Sequence, residues 1–214
     1  MPVDPPAYPV NLLVAGRPVL VVGGGAVALE KVRGLLAAEA VVTVVAPEVL
    51  DELAALAVRV ERRPYVRGEV ASYRLAVAAT DDPAVNQAVY DDGEAAGVWV
   101  NAADDPERCS YTLPARLDRG RLLVTVSTSG RSPAVTSWLR DQLAEVIGPE
   151  HEILLEMVAE RRAALQAAGA LPPAGSWRTA LESGMLELIR DGRTDEARAL
   201  LDSVVGPPPA EPGT

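Results

Sequence analysis

Cysteine and histidine are almost absent from this 214-residue chain, which holds one of each, Cys109 and His151. A single thiol excludes a disulfide framework and a thiolate zinc site. No apolar run approaches the length of a membrane span, and the amino terminus, MPVDPPAYPV, lacks the basic and apolar segments of a secretory signal. These absences point to a soluble, cytoplasmic protein. Positive charge is also short. The formal net charge of −10 argues against general binding to nucleic acid or to an anionic membrane. That deficit is uneven, because Arg116, Arg119, Arg121, Arg131 and Arg140 fall in a stretch whose only acid is Asp118. The stretch reads either as a solvated face or subunit contact, or as a local site for an anionic ligand.

What is present is a long apolar content broken at regular intervals. At 214 residues, 49% of them hydrophobic, the chain can bury one main domain plus an appendage. Val19–Val22, Val41–Val45, Val58–Glu61, Leu75–Ala79, Val98–Asn101 and Leu122–Ser127 read as strands. Helices are expected over Val27–Ala38, from Glu48, and from Pro83 to near Gly97, with Asp82 as the cap. Strands alternating with helices predict an α/β fold, a Rossmann-type doubly wound parallel sheet. After Ser132-Pro133 the pattern is helical to about Ile147, then over Glu150–Ala168, Trp177–Arg190 and Asp195–Val204, with Gly and Pro between. The organisation predicted is a nucleotide-binding domain (1–113), a linking region (114–147), a helical carboxy-terminal domain (148–205) and a disordered tail (206–214).

The stretch VLVVGGGAVALEK passes from a strand through three glycines into a helix. Gly23-Gly24-Gly25-Ala26-Val27-Ala28 fits G-x-G-x-x-A, the turn that cradles a dinucleotide pyrophosphate. Gly23 permits the tight turn, Gly25 lets the pyrophosphate approach, and Ala28 packs helix on strand. The first-turn N–H groups and the helix dipole supply the anion site. The second strand ends at Pro47-Glu48, and Glu48 is the first acid able to hold the adenosine ribose. No arginine follows closely to accept a 2′-phosphate, so NAD is favoured over NADP. Glu48 could equally be a helix-start charge.

Four segments, YPVNLLVAGRPVLVVGGGAVALEKVRGLL, VAATDDPAVN, VNAADDPERCSYTLPA and VTVSTSGRSPAV, resemble in order and spacing the precorrin-2 dehydrogenase family, the amino-terminal module of siroheme synthases. SWRTALESGMLELIRDGRTDEA is similar to that family's carboxy-terminal helical region. With no methyltransferase domain following, the chain looks like the stand-alone form. The resemblance implies NAD-dependent oxidation of precorrin-2, a tetrapyrrole, to sirohydrochlorin on the route to siroheme and in some cases cobalamin. Some members also insert ferrous iron. It also implies a homodimer whose subunit contact is built by the region after the nucleotide domain, here 114–147.

By the same resemblance, Asp104 falls where the family has its essential aspartate, with the roles of proton acceptor in the oxidation or helper in chelation. Asp105 beside it is an ambiguity, and either acid could instead be a loop cap. Thr80 and Asp81 close the fourth strand and either border the nicotinamide or simply turn into the next helix. Asn101 and the loop Ser127, Thr128, Ser129, Gly130 and Arg131 are assigned to the substrate, since hydroxyls, N–H groups and one cation suit its carboxylates. Thr128 stands where some members have serine, and Ser132 could be plain helix capping. His151 reads as a surface helix-start residue, Cys109 as inert, and any iron as transiently held, with no permanent metal site. Two other readings remain: a non-catalytic NAD-binding redox sensor, which leaves Asp104 and the hydroxyl loop without a purpose, and a methyltransferase, whose cofactor has no pyrophosphate.

Overall fold

The apolar runs become strands wherever both of their faces can be covered. In the computed structural model, which describes residues 7–103 and 105–206, β1 (Pro18–Val22), β2 (Val41–Val45), β3 (Arg59–Glu61), β4 (Leu75–Ala78) and β5 (Trp99–Ala102) form one parallel sheet in the order β3-β2-β1-β4-β5. Successive side chains of β1 go to opposite faces. Val19 and Val21 join Ala28, Leu29 and Val32 of helix α1 (Ala26–Ala37) in one core. Leu20 and Val22 join Val89 of α3 (Pro83–Ala96) in the other. Burial on both faces explains the lack of polar alternation in VLVV and VVTVV. The direction of strand addition reverses between β1 and β4, which opens a crevice at their carboxyl ends.

Helix α3 starts and stops where its punctuation predicts. Asp82 Oδ1 accepts from the Ala84 N–H (2.8 Å), Pro83 takes the first position, and Gly97 closes the helix at φ +67°. The helix expected from Glu48 is shorter, α2 (Asp51–Ala54). Its first three expected residues are drawn over the glycine turn instead, where the Leu50 N–H donates to the Gly24 carbonyl (3.0 Å).

Two expectations need correction. Leu122–Val126 (β7) does not join the parallel sheet. It pairs antiparallel with β6 (Ala115–Arg119), a strand not anticipated from the sequence. Only Gly120 and Arg121 separate them, a link that fits a hairpin and is far too short for a parallel crossover. The helix expected over Trp177–Arg190 is two, α6 (Ala174–Leu181) and α7 (Met185–Arg190). They part at Gly184, whose φ of +95° a continuous helix does not tolerate.

Two compact units result. One holds residues up to Leu113 together with Thr128–Pro133, and the other holds Pro114–Ser127 and the residues from Ala134 onward. In the second unit, Met157 and Leu165 of α5 (Glu150–Ala167), Ala180 of α6, Met185 and Ile189 of α7, and Leu201 of α8 (Thr194–Val205) share a core. Helix α4 (Pro133–Val146) buries no residue, and its Val135, Trp138 and Val146 are exposed. Among the described residues no helix is long and apolar enough to cross a membrane. The tail expected over 206–214 lies outside the described residues from 207 onward.

Candidate dinucleotide and substrate site

Each glycine of the turn is required for a different reason. Gly23 has φ +129°, and a Cβ there would lie 2.1 Å from the Ala79 carbonyl oxygen at the end of β4. A Cβ on Gly24 would lie 2.0 Å from the Glu48 carbonyl oxygen. A Cβ on Gly25 would meet nothing within 4 Å. The first two glycines let three backbone segments close on one another, whereas the third faces open space. Gly25 is the N-cap of α1, and the first intrahelical bond runs from the Leu29 N–H to its carbonyl (3.0 Å). The N–H groups of Ala26, Val27 and Ala28 therefore precede any intrahelical acceptor and present the positive end of the helix dipole to that space. A cradle that a side chain at Gly25 would fill fits a pyrophosphate.

The segments on either side of the turn are Pro47-Glu48 after β2 and Thr80-Asp81 after β4. Glu48 is exposed on the stretch that packs against Gly24. Thr80 is bound to its own turn. Its hydroxyl donates to Asn86 Oδ1 (2.8 Å) and accepts from the Asp82 N–H (3.2 Å), and Asn86 Nδ2 donates to the Thr80 carbonyl (2.9 Å). Asn86 is 8% exposed. It was not singled out from the sequence, although a polar residue one turn into a helix that follows a strand end is a recognisable signal for such a latch. Asp81 is exposed at the same edge.

At the edge strand β5, Asn101 is buried and its Nδ2 donates to the Tyr111 carbonyl (2.9 Å) and contacts Cys109 Sγ (3.4 Å). It fastens the segment 109–111 to the sheet. The Cys109 thiol donates to the carbonyls of Ala102 (3.3 Å) and Asp105 (3.2 Å), and burial pushes its pKa up, which keeps it a thiol. Burial likewise raises the Tyr111 phenol. Asp104 lies outside the described residues. Its neighbour Asp105 pairs with Arg108, whose Nε donates to Gln87 Oε1 on α3. That carboxylate holds the short turn Pro106–Arg108 in place.

The hydroxyl loop turns sharply. Ser129 and Gly130 have φ of +52° and +71°, the Arg131 N–H donates to the Thr128 carbonyl (3.1 Å), and the Ser132 N–H donates to Thr128 Oγ1 (3.2 Å). Thr128–Pro133 is grouped with the dinucleotide unit, and Ser127 precedes it in the other. The arginine excess resolves into individual roles. Arg116 pairs with Asp118 (3.1 Å), Arg121 with Glu156 (3.6 Å) and Arg140 with Asp141 (2.7 Å). Arg119 Nε donates to the Ile147 carbonyl just beyond α4 (2.9 Å), a favourable place for a cation. Arg131 is exposed and makes no ion pair among the described residues.

One charged residue reaches the segment packed on the glycine turn unannounced by the sequence. Arg62, distant in sequence from Glu48, follows β3 directly, and its Nη1 donates to the Val49 carbonyl (3.4 Å). Near-neighbour reading along the chain cannot find it, since the ladder between β2 and β3 brings it there. His151 stands at the start of α5 with Nδ1 3.2 Å from the Gly148 carbonyl oxygen. Among the described residues no group of three or more His, Cys, Asp or Glu side chains is arranged to hold a metal ion.

A family model described as "Putative NAD(P)-binding" matches residues 10–115, the span that contains the glycine turn and the parallel sheet. The chain is 39% identical over 203 residues to a siroheme synthase of Chromobacterium violaceum, an alignment covering 91% of this chain and 43% of that protein. It is 38% identical over 210 residues to a siroheme synthase of Pseudomonas putida, covering 94% of this chain and 44% of the relative. The chain thus spans less than half the length of these curated relatives. The solved structure of "SirC, precorrin-2 dehydrogenase" superposes with a TM-score of 0.69 at 28% identity, covering 92% of this chain and 98% of that one. A parallel sheet, a hairpin and a helical unit in one order, matched nearly end to end by that structure, join the sequence likeness. The chain belongs to the family of the SirC-like amino-terminal module of siroheme synthases.

Proposed function

We propose that this chain is an NAD-dependent precorrin-2 dehydrogenase acting in siroheme formation. The observation that carries the reading is the open face of Gly25 at the start of α1, combined with likeness to SirC over almost the whole of both chains. NAD supplies the hydride acceptor. The Gly23–Val27 turn holds its pyrophosphate, Glu48 accepts from an adenosine ribose hydroxyl, and the Thr80-Asp81 turn borders the nicotinamide end.

Asp104 takes the proton that the substrate loses as it gives up a hydride. Asp105 is the weaker choice because Arg108 already occupies its carboxylate. The loop from Ser127 to Arg131 receives carboxylates of the substrate, with Arg131 as the cation not neutralised by a described acid. Asn101 serves this side of the site by fixing segment 109–111.

The segment 114–147 builds a homodimer contact. The support is an α4 that buries nothing and exposes Val135, Trp138 and Val146, an apolar face that a second copy would cover. Turnover of precorrin-2 with NAD, followed by absorbance, tests the activity. Adding ferrous ion to the finished reaction then tests iron insertion by the same chain.

A further inference from the structure

The adenosine end of the dinucleotide site carries two charges of opposite sign rather than one. Glu48 stands on the segment against Gly24, and the Arg62 guanidinium rests on the carbonyl of the next residue, Val49. The placement is dictated by the sheet. Val45 pairs with Glu61, and the Ala46 N–H donates to the Glu61 carbonyl (3.2 Å), so the chain leaves β3 beside the end of β2 and delivers residue 62 to its carboxyl edge.

The neighbouring arginine shows that this is not a general excess of cations. Arg63 is fully engaged: its Nε donates to Glu61 Oε2 (2.9 Å), and its Nη1 and Nη2 donate to Glu69 (3.0 and 2.6 Å). Those carboxylates keep Arg63 charged and raise its pKa. Arg62 makes no ion pair among the described residues, and its single bond to a carbonyl leaves most of its five donors available. Arg63 is sequestered by two acids, and the residue before it is held beside Val49 with no acid paired to it among the described residues.

An acid at the end of the second strand suits a free ribose 2′-hydroxyl, whereas a nearby arginine suits a 2′-phosphate. Here both are present and both face solvent, so the attraction of Arg62 and the repulsion of Glu48 for a phosphate are screened to a similar size. We propose that Arg62 allows the site to take NADP as well as NAD, by pairing with the 2′-phosphate that Glu48 alone would reject. This rests on the reading of Gly23–Val27 as a dinucleotide turn.

The test is calorimetric titration of the whole chain with NAD and with NADP, for the unmodified protein, Arg62→Ala, Arg62→Lys and Gly25→Val. The expected result is an NADP affinity within about tenfold of that for NAD, and an NADP-to-NAD affinity ratio that falls about ten- to a hundredfold in Arg62→Ala. Arg62→Lys should recover part of that ratio, and added salt should lower it. A ratio that stays within about threefold of the unmodified value in Arg62→Ala overturns the proposal, while NAD binding that Gly25→Val abolishes leaves the dinucleotide reading standing. If neither dinucleotide binds the unmodified protein, the dinucleotide reading falls and the proposal with it.

Discussion

Gly25→Val separates the fold of the dinucleotide turn from its ligand. A Cβ at Gly25 meets no atom within 4 Å, so a side chain there starts into open space. The backbone there is extended, at φ −87° and ψ −169°, and has no positive φ that would penalise a side chain. The structural cost is therefore confined to a poorer helix cap, about 1 kcal/mol. The ligand cost is larger, because the added carbons occupy the space in front of the first-turn N–H groups. Loss of two charge-assisted bonds at roughly 1.5–3 kcal/mol each weakens NAD by about a hundredfold or more. Gly24→Ala makes the contrast. Its Cβ would lie 2.0 Å from the Glu48 carbonyl oxygen and 2.8 Å from Val49 Cα, both backbone atoms that cannot swing away. Overpacking of that kind costs about 1–3 kcal/mol, a fall in Tm of several degrees. Calorimetry with NAD and thermal melts by circular dichroism should show Gly25→Val folded but not binding, and Gly24→Ala destabilised. Unchanged NAD affinity in Gly25→Val would refute the placement of the pyrophosphate.

Arg131→Ala should raise the Michaelis constant for precorrin-2 by about tenfold or more, and far more than that for NAD, the scale of one charge-assisted contact to a carboxylate. Steady-state kinetics at two salt concentrations checks it, and equal effects on both constants would remove Arg131 from the substrate side. Trp138→Glu places a charge in the middle of the exposed apolar face of α4 and should give a monomer by light scattering, whereas an unmodified chain that is already monomeric across micromolar concentrations contradicts the dimer contact. Asp92 predicts a pH dependence. Burial opposes its charged form, but bonds from the Gly68 N–H (2.7 Å), Tyr65 hydroxyl (2.8 Å) and Arg67 outweigh that and hold its pKa below the usual carboxylate value. A depressed folded pKa contributes stability that is present above the unfolded value and is lost as pH falls through the folded one. Asp92→Asn should therefore lower stability near neutral pH by about 1.5–3 kcal/mol and flatten its decline in acid, as measured by urea unfolding.

The parallel sheet was legible because its signals are local. VLVV and VVTVV lack alternation since both faces are buried, and Asp82-Pro83 with Gly97 marks both ends of a helix in adjacent residues. The hairpin was missed because ARLDR is mostly charged, with Asp118 and Arg119 adjacent, and buries only Leu117, a weak strand pattern whose meaning comes from its partner. Gly184 was read through because a helix tolerates an isolated glycine in sequence, and only the observed backbone shows a left-handed turn. In the site, the glycines, Glu48 and the turn at Thr80 follow from adjacency to strand ends. Arg62 and the latch at Asn86 depend on what β3 and α3 bring alongside, and the neutralisation of Arg116, Arg121 and Arg140 depends on rotamers and packing that composition does not encode.

The most direct test of the central claim is the rate of sirohydrochlorin formation from precorrin-2 and NAD by the unmodified chain, Asp104→Ala and Asp105→Ala. Turnover by the unmodified chain is expected, with a loss of about a hundredfold or more in Asp104→Ala with NAD affinity retained, and a mild effect in Asp105→Ala, whose carboxylate is already paired with Arg108. A chain that binds NAD but leaves precorrin-2 unchanged would contradict it and return the redox-sensing reading.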